Sequence, residues 1–337
     1  MPRLRRSDPN RPGLTRRRAG RGWVFLDAQG ERVTDPETLA RLRGLVIPPA
    51  WKDVWISPYA NGHIQAVGTD AAGRRQYRYH DVWREHRDRA KHERVLLVGR
   101  RLPTMRRRWA RDLAGTDLGR ERVMAAAARL LDLGLFRVGG EEYAEEHSTY
   151  GLATLRREHV SIRGGVLVFD YVAKAGIRRV ETVSDPKVVD VVAALKRRRD
   201  DPNPELFAYR GPGGGWNDVK SGTVNDYLRA MSTMDMTAKD FRTWHATVLM
   251  ASALARHAPV PRSVTARNRL VRAGYVEVSE ALGNTPAVCK TSYVDPRVVD
   301  LFHGGTVIAL PPRKRSDDAL RSALEKEVLD LLRTEPD

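Results

Sequence analysis

Leu282-Gly283-Asn284-Thr285-Pro286-Ala287-Val288-Cys289-Lys290-Thr291-Ser292-Tyr293 packs a helix end, a turn and a helix start into one short run. Gly-Asn supplies the left-handed residues on which helices commonly end. Thr-Pro then offers a side-chain cap followed by a ring whose fixed φ suits the first helical position. A new helix therefore opens at Pro286, and Tyr293 follows within two turns. Cys289, the only cysteine, reads as a small core residue on that helix. A single cysteine excludes an intramolecular disulfide and a cysteine-based zinc site. A tyrosine held at such a place has one notable chemistry. Its hydroxyl can attack a phosphodiester and hold one strand end covalently, keeping the energy of the broken bond for resealing without ATP.

The rest of the chain supplies a polyanion-binding context. The 337 residues carry 59 Lys+Arg against 42 Asp+Glu, a formal charge of +17. Ten of those bases are Lys and 49 are Arg. An Arg-rich genome accounts for the ratio but not for the surplus over acids, which points to nucleic acid. No basic amphipathic helix dominates, so a membrane surface is disfavoured. No run of apolar residues is long enough to span a bilayer, and the N-terminus lacks an apolar signal segment. A cytoplasmic, nucleoid-associated protein is expected. With 41% hydrophobic residues the chain can bury real cores, and its length suggests two domains.

Residues 1–20, rich in Arg, Pro and Gly, read as a flexible basic arm. Residues 21–90 read as a small sheet-rich domain, with strands near 23–26, 54–56, 62–68 and 75–79 and a short helix from Thr34. From Asp81 to about Gly99 the period turns helical and highly charged, as in a surface helix joining domains. Residues 91–337 read as a larger, mainly helical domain. Its helices fall near 119–133, 186–199, 223–231, 237–256, 264–281 and 317–333. A strand block interrupts at 152–162, 166–172 and 177–183, the last two joined by the turn Ala173-Lys174-Ala175-Gly176. Gly211 to Gly215 reads as a mobile loop. The fold class is α+β.

Five strings then fall in order: Phe136-Arg137-Val138-Gly139, the Lys174 turn, Lys239-Asp240-Phe241-Arg242-Thr243, Gly283-Asn284-Thr285-Pro286 and Ser292-Tyr293. Together they resemble the small poxvirus-type and bacterial type IB DNA topoisomerases over roughly residues 22–310. Gly73-Arg74-Arg75-Gln76-Tyr77-Arg78-Tyr79 resembles that family's DNA-contacting strand. The resemblance implies a sheet domain and a catalytic domain of the tyrosine recombinase/type IB topoisomerase kind, closing as a monomeric clamp on double-stranded DNA. It implies Tyr293 as nucleophile, with Gln76, Tyr77, Tyr79 and Tyr143 at the DNA.

The chemistry calls for the same residue types. Tyrosine, with a pKa of about 10, is a poor nucleophile at neutral pH unless cations stabilise its phenolate and the charge growing on phosphorus. Arg137 and Arg242 suit that work, since guanidinium grips two oxygens and stays charged. The leaving oxygen needs a proton, which a lysine crowded by other cations can give. Lys174 is the only lysine between Lys91 and Lys187. Asn284 stands where viral and eukaryotic members of the family carry His, a departure from His that several bacterial members share. It keeps an N–H for a phosphate oxygen and loses any acid–base role. His245 is expected to face packing or the DNA backbone. No metal-ligand spacing and no phosphate-cradling glycine loop is present, so neither a catalytic metal nor a nucleotide cofactor is expected. Two alternatives remain: a tyrosine site-specific recombinase, and a non-catalytic duplex-binding protein. Lys239-x-x-Arg242 in place of His-x-x-Arg, and a sheet in place of a helical N-terminal domain, favour the topoisomerase.

Overall fold

The computed structural model describes residues 3–312 and 316–333. Its internal contacts divide it into two units, residues 1–92 and 93–337.

The first unit is built on a five-stranded antiparallel sheet of order β2-β1-β3-β4-β5, with β1 Leu14–Ala19, β2 Gly22–Leu26, β3 Lys52–Ile56, β4 Ile64–Thr69 and β5 Arg75–Tyr79. Helix α1 (Pro36–Gly44) starts on Asp35, whose carboxylate accepts from the Thr38 amide at 2.7 Å. Leu14, Phe25, Leu42, Val54, Ile56 and Ala66 form its core. Strand β1 corrects the expectation of a flexible arm at residues 1–20. Leu14 is buried, and Arg16 lays its guanidinium over the Trp23 ring while donating to the carbonyls of Ile47, Pro48 and Trp51. A base satisfied in this way can stand in a strand as well as in a solvated tail. Further back, Arg5 bridges to Gly62 and Ser7 bonds to His63 and Ile64.

Helix α2 (Asp81–Asp112) runs well past Gly99 and through Pro103. Its second half is amphipathic rather than a wholly charged surface helix: Val95, Val98, Leu102, Met105 and Trp109 are buried. Gly99 is required by close packing, because a Cβ there would lie 2.7 Å from the Trp244 ring.

In the second unit α3 (Arg120–Gly134) is buried on every side from Val123 to Asp132. A three-stranded antiparallel sheet, β6 Val160–Arg163, β7 Val166–Ala173 and β8 Ile177–Val183, turns Leu167, Phe169, Tyr171 and Ala173 into the core. Residues 152–159, expected to begin the first of these strands, instead make two single 3-10 turns, Leu152–Thr154 and Arg157–His159. Helices α4 (Glu141–His147), α5 (Pro186–Arg197), α6 (Ser221–Ser232), α7 (Ala238–Ala255), α8 (Val264–Leu282), α9 (Pro286–Ser292), α10 (Pro296–His303) and α11 (Asp317–Leu331) complete it. Gly211 to Gly215 closes a hairpin of β9 (Ala208–Arg210) and β10 (Trp216–Asp218).

Beneath α7 lies a buried ionic network. Asp132 accepts from Arg106 at 2.7 Å, Arg129 at 3.0 Å and His245 at 3.2 Å, and Arg106 also holds Glu325 of α11 at 2.6 Å. The Trp244 indole donates to Glu325 at 3.3 Å. Burial pushes the Asp132 carboxyl up, but His245 and Arg106 prevail and hold it well below the ordinary aspartate value. Asp132→Ala leaves those cations buried without their anion and should cost about 3–5 kcal/mol, read as lost unfolding free energy in a denaturant titration. Because the native pKa is depressed, the wild-type advantage should be complete above the unfolded aspartate pKa of about 4 and fade as pH falls below it.

Candidate active site

The C-terminus of α8 organises the site. A helix leaves its last carbonyls without intrahelical partners and carries partial negative charge there. Three arginines from three other elements take those oxygens. Arg179 of β8 donates to Glu280 O at 3.1 Å and Ala281 O at 2.8 Å. Arg242 of α7 donates to Leu282 O at 2.8 Å and also reaches Leu135 O. Arg137 donates to Gly283 O at 2.8 Å and to the Asn284 side-chain oxygen at 2.5 Å.

Arg137 stands in the loop after α3, whose backbone is locked by Leu152 N–H to Arg137 O and Ala153 N–H to Val138 O. Phe136 anchors the loop against Phe169 and Tyr171. Gly139, at φ +85°, meets Gly151 so closely that a Cβ on Gly151 would sit 2.4 Å from the Gly139 nitrogen. Because the Asn284 oxygen faces Arg137, its amide Nδ2 is the other arm, and that nitrogen is buried with no hydrogen-bond partner.

Gly283 ends α8 in the left-handed region at φ +60°, and Thr285 caps α9 by accepting from Val288 N–H. The α8–α9 turn is the one read from sequence. Cys289 and Val294 are fully buried on either side of Tyr293, which fixes where its ring points. Arg242 lies 5.2 Å and Lys239 Nζ 5.9 Å from that ring's centre. Burial raises the Tyr293 phenol, but Arg242, Lys239 and Arg137 outweigh it and leave it below the ordinary tyrosine value. Tyr171, nearby in the core, is pushed up to about 12, chiefly by burial. Arg137 in turn is lowered, first by burial and then by Arg242. Lys174 sits at the tip of the β7–β8 hairpin, in a tight turn with Ala175 at φ +69° and Gly176 at φ +71°. Arg137, Lys174, Lys239, Arg242 and Tyr293 all line one cleft of about 330 Å³.

The cleft thus gathers four cations around a tyrosine whose phenol pKa is depressed. Residues 80–300 match the family model of the eukaryotic DNA topoisomerase I catalytic core, and residues 22–70 that of the bacterial DNA topoisomerase IB N-terminal domain. The chain belongs to the type IB DNA topoisomerases. It is 28% identical to the DNA topoisomerase 1B of Acanthamoeba polyphaga mimivirus over 298 residues, 86% of this chain and 87% of that protein. It is 22% identical to the DNA topoisomerase 1B of Vaccinia virus (strain Copenhagen) over 259 residues, 75% and 77% of the two chains. DNA topoisomerase 1 of Schizosaccharomyces pombe is 28% identical over 187 residues, 55% of this chain and 21% of that protein.

For this topoisomerase, all five residues expected at the chemistry come together in the second unit. Lys239 and Arg179 were not expected there. Lys239 is half of the Lys239-x-x-Arg242 pair read in the sequence, but no site role was given to it; three residues apart on a helix, the two share a face. Arg179 gave no such signal. His245 is buried against Asp132 and Glu325, which makes it a packing residue and removes the DNA-backbone option. In the first unit Tyr77 and Tyr79 share the outer face of β5, 42% and 41% exposed, with parallel rings 6.0 Å apart. Gln76 points to the other side and bonds Asp70 at 2.9 Å. Tyr143 lies on α4, and its side chain is outside the described residues. Among the described residues, Asp132, His245 and Glu325 are grouped closely enough to ligate a metal ion, but Arg106, Arg129 and Arg321 already bind the two carboxylates.

The phenol's environment predicts a titration. In a wild-type minus Tyr293→Phe difference measurement, phenolate absorbance should appear at a pH below the ordinary tyrosine value of about 10. Arg242→Ala should move that onset upward, because the largest stabilising charge is gone and the burial remains.

Proposed function

We propose that this topoisomerase relaxes DNA through a 3′-phosphotyrosyl intermediate formed on Tyr293. The observation that carries this reading is the Tyr293 phenol, lowered in pKa beside Arg242, Lys239 and Arg137 and opening on the cleft that Lys174 lines. The phenolate oxygen attacks phosphorus, the bond from phosphorus to the 5′ oxygen breaks, and the strand end stays on the enzyme. Arg137 and Arg242 bind the non-bridging oxygens, whose charge grows in the transition state. The unpartnered Nδ2 of Asn284 donates a third hydrogen bond there. Lys174 gives a proton to the departing 5′ oxygen. The free 5′-hydroxyl then swivels about the intact strand and reverses the reaction, and no ATP is needed because the covalent link retains the bond's energy.

The finer architecture belongs to the same reading. A monomer closes on double-stranded DNA, with the sheet unit laying Tyr77 and Tyr79 against the duplex and the helical unit, of the tyrosine recombinase kind, performing the chemistry. Among the described residues, no helix is long and apolar enough to cross a membrane, in keeping with work on the nucleoid.

Plasmid relaxation in EDTA tests the scheme. The wild type should relax supercoils without metal or nucleotide. Tyr293→Phe should bind duplex with unchanged affinity, relax nothing and form no covalent adduct. An adduct in that variant, or an absolute magnesium requirement in the wild type, would overturn the scheme. Lys174→Ala should slow cleavage by about 10²–10⁴-fold, the usual contribution of a positioned acid. A duplex carrying 5′-bridging sulfur, a better leaving group, should recover most of that loss.

A further inference from the structure

Arg179 stands on the strand that leaves the Lys174 turn, and nothing in the scheme above uses it. It and Glu181 are two residues apart on β8 and so face the same way, inward, where they form an ion pair. Its guanidinium crosses to α8 and holds the Glu280 and Ala281 carbonyls, immediately before the Gly283-Asn284 turn. The approach is close: a Cβ on Gly283 would lie 2.7 Å from its nitrogen.

The hairpin needs such an anchor. Strand β6 covers β7 only as far as Phe169, and beyond that point the edge of β7 is met by the Tyr150 amide, which donates to Val172 O at 2.8 Å. The outer face near the tip is bare, with Val172 and Val180 exposed, and Ile177 at the inward end of β8 is exposed too. Tyr171 and Ala173 pack the near side of β7, but β8 has no inward apolar side chain between Ile177 and Val183. The inward positions there are Arg179 and Glu181. The core packs the β7 side of the hairpin through Tyr171 and Ala173, and the bidentate hydrogen bond of Arg179 ties the β8 side to the end of α8.

We propose that Arg179 is a positioning residue that staples the Lys174 hairpin to the end of α8 and so sets Lys174 against the scissile phosphate. The proposal rests on the reading of Lys174 as part of the cleavage machinery. Glu181, half-buried beside Arg179, keeps the guanidinium turned toward the carbonyls. Arg179 touches no reacting atom in this scheme. Its loss acts by letting the tip drift, and misplacement by about 1 Å can slow a reaction by about 10²-fold.

A double-mutant cycle on the full-length enzyme tests this. Single-turnover cleavage of a duplex is measured for wild type, Arg179→Ala, Lys174→Ala and the double variant, with oxygen and with sulfur at the 5′ bridge. Arg179→Ala should cleave the oxygen substrate about 10²-fold more slowly while binding duplex as the wild type does. It should add little to Lys174→Ala, since residues that act as a unit are not additive. Sulfur should rescue it as it rescues Lys174→Ala. Arg179→Lys, which keeps a charge but cannot bridge two carbonyls, should show the same pattern with an unchanged melting temperature, and it carries the cycle should Arg179→Ala fold poorly. Losses that multiply in the double variant, or sulfur rescue of Lys174→Ala alone, overturn the proposal, as does cleavage by both Arg179 variants at the wild-type rate. Should sulfur rescue neither single variant, the proton-donor role of Lys174 falls, and the cycle on the oxygen substrate still decides Arg179.

Discussion

Every cation of the site that acts through its guanidinium is anchored on the carbonyl end of α8. Arginines gathered this closely repel one another, and burial adds to the difficulty, as the lowered pKa of Arg137 reflects. The helix terminus answers both problems at once. Its terminal oxygens accept the N–H groups, and its dipole supplies negative charge to Arg137 and Arg242. The loop after α3, the β7–β8 hairpin and α7 all converge there because each contributes an arginine to a different carbonyl of the same helix end. The turn that ends α8 leads directly into α9, so Tyr293 is placed by the same feature that places Arg137 and Arg242.

Helix α7 links this arrangement to the interior. Arg242 faces the cleft, and Trp244 and His245, about half a turn and a turn further on, reach Glu325 and Asp132. A rotation of α7 that moved Arg242 would break a buried network shared by α2, α3 and α11. Helix α11 lies beyond the segment that matches the family's catalytic core, yet it supplies Glu325, Arg321 and Asp318 to that network.

The parts of the fold that were legible in sequence are those set by local chemistry. Thr285-Pro286 and Gly283 fix the α8–α9 turn through capping alone, and Gly176 marks the Lys174 hairpin by the left-handed angle it tolerates. The parts that were missed depend on distant partners. Strand β1 looks like a solvated tail until Arg16 is seen lying on Trp23. Helix α2 should stop near Gly99 or Pro103 by local rules, but Trp244 fills the space above Gly99, and burial of Leu102, Met105 and Trp109 carries the helix onward. Residues 152–159 have strand-like composition, yet the contact of Gly139 with Gly151 and the bonds to Arg137 and Val138 hold them in turns. Arg179 was hidden among 49 arginines, because its role lies in which carbonyls it meets rather than in any spacing.

In the proposed scheme, Asn284 gives the phosphate grip a property of its own. An imidazole at that place would gain and lose a proton across the physiological range. An amide does not, and the guanidiniums of Arg137 and Arg242 stay charged far above it. The oxygen-binding half of the site therefore presents constant charge whatever the acidity of its surroundings. Grip and proton traffic are assigned to separate side chains, so the strength with which the enzyme holds a phosphodiester is insulated from swings in cellular pH.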